Sequence, residues 1–220
     1  MPLFRRKPRS WEDYFEEGMT FGGASKLSKA ETSFREAARL APEEPYPHYE
    51  LGYTLTLLGR HEEALEEFRR TKQLTPRGFL LVDTEIYLCE QVLAGSIDSS
   101  ALEALRSLQH LTDSDQWQSH DAVALSRKAI EAAPECALAH FYLGKALFER
   151  EPQAAEEALR RCVELHPDDT TAINARWHIA ALRRRAGDED EARRIWREIA
   201  DEHPGHPGAI FADMNFDEPG

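Results

Sequence analysis

The feature that most constrains this chain is a spacing of 34 residues at which the same residue types return. A glycine, an alanine, a phenylalanine and a proline each recur at this distance. The four pairs are Gly18 and Gly52, Ala30 and Ala64, Phe34 and Phe68, and Pro42 and Pro76. A period of this length is typical of proteins built from stacked copies of one small helical or strand-containing unit.

Two later stretches of the chain show the same residue pattern. They are "LGKALFEREPQAAEEALRRCVELHP" (143–167) and "IAALRRRAGDEDEARRIWREIADEHP" (179–204). Each unit is predicted to be two helices joined by a tight turn. In the second unit Leu51, Leu55 and Leu58 recur at helical spacing, the residues Gly-Arg-His interrupt the pattern, and a second amphipathic stretch runs until Pro76.

Gly52 lies inside a predicted helix, where glycine is about 1 kcal/mol less favourable than alanine. Close contact between the two helices of a unit gives a reason for it. We expect Gly52 on the first helix and Ala64 on the second to let the backbones approach, with Phe68 filling the space beside them. Pro76 ends the second helix and turns the chain into the next pair.

These residues resemble the tetratricopeptide repeat (TPR) family, a 34-residue helix-turn-helix with Leu-Gly, Ala, a bulky residue, Ala and Pro at matching positions. "ELGYTLTLLGRHEEALEEFRRTKQLTP" (50–76) matches most closely. The resemblance implies an all-α, right-handed α-solenoid of about five units with one inserted helix in the middle. The predicted organisation is a basic N-terminal tail (1–10), units at about 11–44, 45–78, 79–136 (degenerate), 137–169 and 173–206, and a C-terminal tail (207–220).

The sequence departs from the family pattern at several positions. Tyr14, His48, His140 and Arg176 stand where tryptophan is frequent, and Glu17 stands where leucine is expected. Because His48 and His140 occupy equivalent positions, we interpret them as aromatic residues in a packing role.

The segment between Pro76 and Pro134 is too long for one unit. Its pattern predicts helices at about 79–94, 98–111 and 118–133. One degenerate repeat with an inserted helix explains these three, and so does a divergent repeat next to an unpaired helix.

Some first helices carry a second apolar stripe beyond the one that packing within a pair requires. In TPR proteins the first helices line the concave side, so the resemblance implies that this stripe faces a peptide-binding groove. Aromatic side chains suit such a groove because they offer large, rigid contact area. The candidate groove residues are Tyr46, Tyr49, Glu50, Tyr53, Asp83, Tyr87, Phe141, Tyr142, Lys145, Trp177 and Arg184. The alternative is that individual rings pack against neighbouring helices.

Charge along the same face is graded in sequence, from Glu12, Glu16 and Glu50 to Lys145 and Arg184. Such a gradient would orient a bound peptide by electrostatic complementarity. Some TPR domains hold a C-terminal carboxylate with a Lys/Asn/Arg clamp, but Glu16 and Glu50 stand where its asparagine is expected. The resemblance therefore disfavours a ligand of that kind.

The remaining composition argues for a binding role without catalysis. The formal net charge of −13 disfavours nucleic acid, and no apolar run is long enough to span a bilayer. The three widely spaced cysteines indicate reduced thiols in a cytoplasmic protein, with Cys162 buried in a small-residue position. No catalytic motif and no metal-ligand spacing is present, so we expect no cofactor and no catalytic or metal site; His203 and His206 form an incidental loop pair.

The leading hypothesis is a cytoplasmic, non-enzymatic adaptor, scaffold or assembly factor that binds a peptide or helix of another protein in its concave groove. Two alternatives remain open: a homo-oligomeric structural scaffold and a non-catalytic subunit of an enzyme complex.

Overall fold

The computed structural model describes residues 8–113, 119–165 and 167–204. Within these ranges the regular structure is entirely α-helical, as predicted. The helices are α1 Trp11–Gly23, α2 Leu27–Leu40, α3 Pro45–Leu57, α4 His61–Leu74, α5 Val82–Leu93, α6 Ser99–Asp113, α7 His120–Ala132, α8 Ala137–Leu147, α9 Pro152–Glu164, α10 Asp169–Arg185 and α11 Glu189–Glu202. Most of the predicted basic tail and all of the predicted C-terminal tail lie outside the described residues, as does His206.

The chain divides into two compact units, the first ending at Glu90 and the second beginning at Gln91. The first unit contains the pairs α1–α2 and α3–α4 and most of α5. The second contains the pairs α6–α7, α8–α9 and α10–α11, with α7 packed on α8 and α9 on α10. Of the three helices after Pro76, α6 packs on α7.

Each second helix ends shortly before the proline that was predicted to stop it. Helix α2 ends two residues before Pro42, and α4 ends two residues before Pro76. Helices α7 and α11 end in the same way before Pro134 and Pro204. The prolines thus delimit the pairs, because proline both lacks an amide donor and disfavours helical backbone at the residue before it.

The predicted close approach within a pair is confirmed at each matching glycine. A Cβ atom placed on Gly18 would lie 2.5 Å from Cε1 of Phe34, and one on Gly52 would lie 2.9 Å from Cε1 of Phe68. In the second compact unit, which begins at Gln91, a Cβ on Gly144 would collide with the side chain of Leu159. The two phenylalanines are at most 2% exposed, so neither ring has room to move away.

The departures from the family pattern have local explanations. Glu17 stands where the family pattern has leucine. Its carboxylate accepts a hydrogen bond from the hydroxyl of Ser33 (3.0 Å) and forms an ion pair with Arg9 (3.1 Å). The hydrogen bond from Arg9 lowers the pKa of Glu17 most, and the one from Ser33 lowers it further.

The two equivalent histidines form hydrogen bonds, which their interpretation as packing residues did not anticipate. His48 donates from Nε2 to the carbonyl oxygen of Pro42 (3.2 Å), and His140 donates to that of Pro134 (2.9 Å). Each histidine thus links the start of a first helix to the proline that ends the preceding pair.

Two glycines of α1 provide a test of the close approach. Gly22→Ala should raise the free energy of unfolding by about 0.5–1 kcal/mol, because nothing lies within 4 Å of the added Cβ and alanine favours the helix. Gly18→Ala gains the same helix propensity but should lower the free energy of unfolding by about 1–3 kcal/mol, because the Cβ overpacks against Phe34. Urea denaturation of both variants measures the difference. Equal effects of the two substitutions would show that the first pair does not pack at Gly18.

Candidate functional site

Four residues of α3 that are not fully buried form one continuous stripe. Tyr46, Glu50, Tyr53 and Leu57 follow one another at i, i+4, i+7 and i+11, the spacing of residues on one helix face. Tyr46 and Leu57 are both 48% exposed, while Glu50 and Tyr53 are half-buried. We call these four residues the α3 stripe.

The corresponding positions of α1 are exposed as well. Glu12, Glu16, Met19 and Gly23 precede the four residues of the α3 stripe by 34 positions each, and we call them the α1 stripe. Met19 is 46% exposed. Helix α2 packs against both α1 and α3. Equivalent positions of the two first helices are left uncovered within this unit, because the repeat keeps the same register in both pairs.

Tyr46 stands in a series of aromatic rings that runs across the starts of the first helices. Its ring centroid lies 6.3 Å from that of Phe15 and 4.7 Å from that of Phe79, both in edge-to-face geometry. Trp11 continues the series, 6.2 Å from Phe15. Edge-to-face contacts of this kind hold a half-exposed ring in one orientation.

Several predicted groove residues are buried. Tyr49 and Tyr87 in the first unit, and Phe141 and Tyr142 in the second, are each 8% exposed. The ring of Tyr49 contacts Phe68 at 5.6 Å, which places it in the core of its pair. In the first unit the accessible part of the predicted site is therefore formed by the α3 stripe.

The acidic residues of the first unit differ in their partners. Asp83 forms an ion pair with Lys72 (2.6 Å), and Glu90 forms one with Arg69 (2.9 Å). Glu50 forms no ion pair with any residue in the described ranges, and burial raises the pKa of its carboxyl group. The α3 stripe thus contains a carboxylate that is partly withdrawn from water without a compensating cation.

Two predicted residues of the second unit, Phe141 and Trp177, contact a histidine that the sequence analysis missed. The ring of His178 lies 6.0 Å from Phe141, 5.4 Å from Phe148 and 5.3 Å from Trp177, and its Nδ1 lies 2.7 Å from the carbonyl oxygen of Asn174. Burial lowers the pKa of His178. The sequence could not indicate this, because the contacts of His178 with Phe141 and Phe148 join separate segments of the chain.

The two predicted cations of this unit differ in exposure. The ammonium group of Lys145 lies 5.9 Å from the ring centroid of Phe141, and burial lowers the pKa of the lysine. Arg184 is exposed near the end of α10. The structure therefore brings Lys145 to the aromatic cluster and leaves Arg184 at the helix terminus.

A cavity of about 1160 Å³ in the second unit lies away from the predicted residues. Residues of α7, α8, α9 and α10 line it, and its largest apolar side chains are Ile130, Leu143 and Leu147. The lining also contains several arginine and glutamate side chains. One of them, Arg161, forms an ion pair (2.9 Å) with Glu135, which is not part of the lining. The mixed charge favours no particular ligand.

Two other kinds of feature are absent from the part of the chain that the structure describes. There, no three His, Cys, Asp or Glu side chains are arranged to hold a metal ion. No helix in the same residues has the length and apolar character required to cross a membrane. Cys162 is fully buried, as predicted, and burial raises the pKa of its thiol.

Comparison with known sequences identifies the repeats. A family profile described as tetratricopeptide repeat matches residues 15–78 and 114–170, which is more than half of the chain. A second profile with the same description matches residues 174–206. No curated protein sequence matches the chain.

Solved structures similar to the chain are distant in sequence. MamA (41-end) from Desulfovibrio magneticus RS-1 is 19% identical, with 94% of this chain and 97% of that chain covered and a TM-score of 0.38. TTC0263, a thermophilic TPR protein from Thermus thermophilus, is 20% identical, with coverages of 94% and 96% and a TM-score of 0.39. The TPR2AB domain of yeast Sti1, in a complex with pHSP90, is 15% identical, with coverages of 94% and 84% and a TM-score of 0.45.

The unpaired carboxylate of Glu50 leads to a stability prediction. Because burial raises its pKa in the folded chain, ionised Glu50 opposes folding, and this penalty develops as the pH rises through the raised pKa. Glu50→Gln should therefore increase the free energy of unfolding at neutral pH. The gain should shrink as the pH falls and Glu50 of the wild type becomes protonated. Urea titrations from about pH 4 to about pH 8 measure the difference.

Glu66→Gln is the matched control, because Glu66 is exposed on α4. Its effect should stay within about 0.5 kcal/mol at every pH. A loss of stability on Glu50→Gln at neutral pH would contradict the prediction, since it would show that the carboxylate has a stabilising partner.

Proposed function

Because this chain belongs to the tetratricopeptide repeat family, we propose that it is an adaptor or assembly factor that holds a peptide segment or helix of a partner protein. The repeat fold supports a protein–protein interaction module. The proposal specifies the surface that makes the contact and the kind of partner.

The observation that carries the proposal is the α3 stripe. Large apolar residues that remain half-exposed on one helix face are typical of a surface that a partner covers. Tyr46 is also held by two neighbouring rings, so it meets a partner with little loss of side-chain entropy. A rigid, exposed aromatic side chain is the kind of residue that dominates binding energy in protein interfaces.

We place the primary contact on the α1 and α3 stripes of the first unit. Trp177, Lys145 and Arg184 of the second unit are proposed as further contact residues. The rings of Tyr49, Tyr87, Phe141 and Tyr142 are buried, and Asp83 pairs with Lys72, so we assign these predicted residues a structural role in the proposed site.

We further propose a cytoplasmic location and no catalytic activity. The separate, buried and unbridged cysteines Cys89, Cys136 and Cys162 support a reducing environment. The family membership supports a module that acts by binding.

A double variant of the α3 stripe tests the proposal. Tyr46→Ser with Leu57→Ser removes the two most exposed apolar residues of the stripe, and exposure predicts little loss of stability. Affinity capture from native lysate, followed by mass spectrometry, should identify partners that wild type retains and the variant loses. For a purified partner we expect the dissociation constant to increase by roughly tenfold or more.

The control is Leu40→Ser with Leu93→Ser. These leucines are 40% and 41% exposed but lie outside the α3 stripe, so this variant should capture the same partners as wild type. Retention of every partner by the stripe variant, with its helicity unchanged in circular dichroism, would exclude the stripe as the binding surface.

A homo-oligomeric scaffold is the second candidate, because the same exposed stripe could be covered by another copy of the chain. In that case sedimentation velocity at micromolar concentration should show an assembly for wild type and a monomer for the stripe variant. A monomeric wild type at that concentration would remove this candidate.

A further inference from the structure

The α3 stripe presents one acidic side chain between aromatic and apolar neighbours. Glu50 lies one helical turn after Tyr46 and one turn before Tyr53. It is half-buried, so its carboxylate has lost part of its hydration. A partner that covers this face would remove the remaining water and would have to supply a compensating group.

Several cations of the first unit pair with other carboxylates. Lys72 and Arg69 pair with Asp83 and Glu90, and no residue within the described ranges pairs with Glu50. The raised pKa of Glu50, caused by burial alone, agrees with this geometry.

Arginines of the second helices are held in a separate network. Arg35 pairs with Glu63 at 2.9 Å, and Arg60 pairs with Glu31 at 2.7 Å, so these ion pairs connect α2 with the start of α4. Both arginines therefore already have carboxylate partners. Within the described residues of the first unit, Glu50 is thus left without an ion pair.

The α1 stripe adds negative charge in the same register. Glu16 is the equivalent of Glu50, and Glu12 is the equivalent of Tyr46. Both glutamates are exposed, and neither carboxylate has an ion-pair partner among residues the structure describes. The hydroxyl of Thr20 donates to the backbone carbonyl of Glu16 (2.9 Å) and not to its carboxylate. The two stripes together thus combine apolar contact area with uncompensated carboxylates.

We propose that the α1 and α3 stripes dock an apolar peptide segment that carries a lysine or arginine, and that this cation pairs with Glu50. The proposal rests on the function proposed above and adds the chemistry of the ligand. The aliphatic stem of a lysine or arginine packs well against aromatic rings such as Tyr46 and Tyr53, while its charged group reaches a carboxylate. The exposed carboxylates of the α1 stripe attract the same segment at longer range.

The test uses a phage-displayed library of random 16-residue peptides, selected separately on three full-length chains. These are wild type, Glu50→Lys and the control Glu66→Lys, which changes the net charge equally at an exposed position of α4. Wild type and the control should enrich peptides with lysine and arginine above their frequency in the library. Glu50→Lys should lose that preference.

A synthetic copy of one enriched peptide then gives the magnitude. Fluorescence anisotropy should show that Glu50→Gln, which keeps the size of the side chain, weakens binding about tenfold, while Glu66→Gln leaves it unchanged. Replacing the peptide's lysine or arginine by norleucine should weaken its binding to wild type but not to Glu50→Gln.

The outcomes separate this inference from the proposed function. If wild type enriches peptides without an excess of lysine or arginine, or if Glu50→Gln binds the enriched peptide as tightly as wild type, the inference is overturned and the module still binds peptides. If no peptide is enriched on wild type, peptide binding itself is refuted, and this inference with it.

Discussion

The close contact between a glycine on the first helix and a bulky side chain on the second is the interaction on which each repeat depends. At Gly18 and Gly52 the space of a Cβ atom is already occupied by the ring of Phe34 or Phe68. This contact determines which face of the first helix points into the pair. Because Tyr46, Glu50, Tyr53 and Leu57 stand well away from Gly52 around the helix, the same contact that builds the core leaves them uncovered.

The second helices and the first helices differ in how their charges are satisfied. On α2 and α4, Arg35 and Arg60 link glutamates of successive pairs, so the ion pairs follow the repeat. Exposed ion pairs contribute little to stability individually, but they do neutralise the charge of that surface. Among the described residues, Glu50 on α3 has no such partner, and burial raises the pKa of its carboxyl group. Proteins tolerate an unfavourable group of this kind where function requires it, because selection preserves activity over the last increment of stability.

The sequence predicted the helix pairs well because a few residues determine them locally. Glycine, alanine and proline act through the size of a side chain and the geometry of one backbone position, and the repeat displays each constraint several times. The three helices after Pro76 were also predicted close to their observed bounds, since amphipathic spacing is a local signal. Which of them would pair was left open, because pairing depends on contacts between separate segments.

The candidate site was predicted less completely for the same physical reason. Tyr46, Tyr49 and Tyr53 were assigned to one stripe, but the ring of Tyr49 turns towards Phe68 and the accessible stripe runs through Glu50 instead. A difference of one residue rotates a side chain by about 100° around a helix, which decides between core and surface. The ion pair between Asp83 and Lys72 was likewise invisible in the sequence, because it joins two separate segments.

Equivalent positions of different repeats carry different side chains on the same helical backbone. Aligning Gly52 with Gly144 places Tyr142 at the position of Glu50 and Lys145 at that of Tyr53. In the first unit this pair of positions combines an uncompensated carboxylate with an aromatic ring, and in the second it combines a buried ring with a lysine whose pKa burial lowers. The glycine contact constrains neither position, because both lie away from the paired helix. Residue types can therefore differ at these positions between repeats while the glycine contact of each pair is kept.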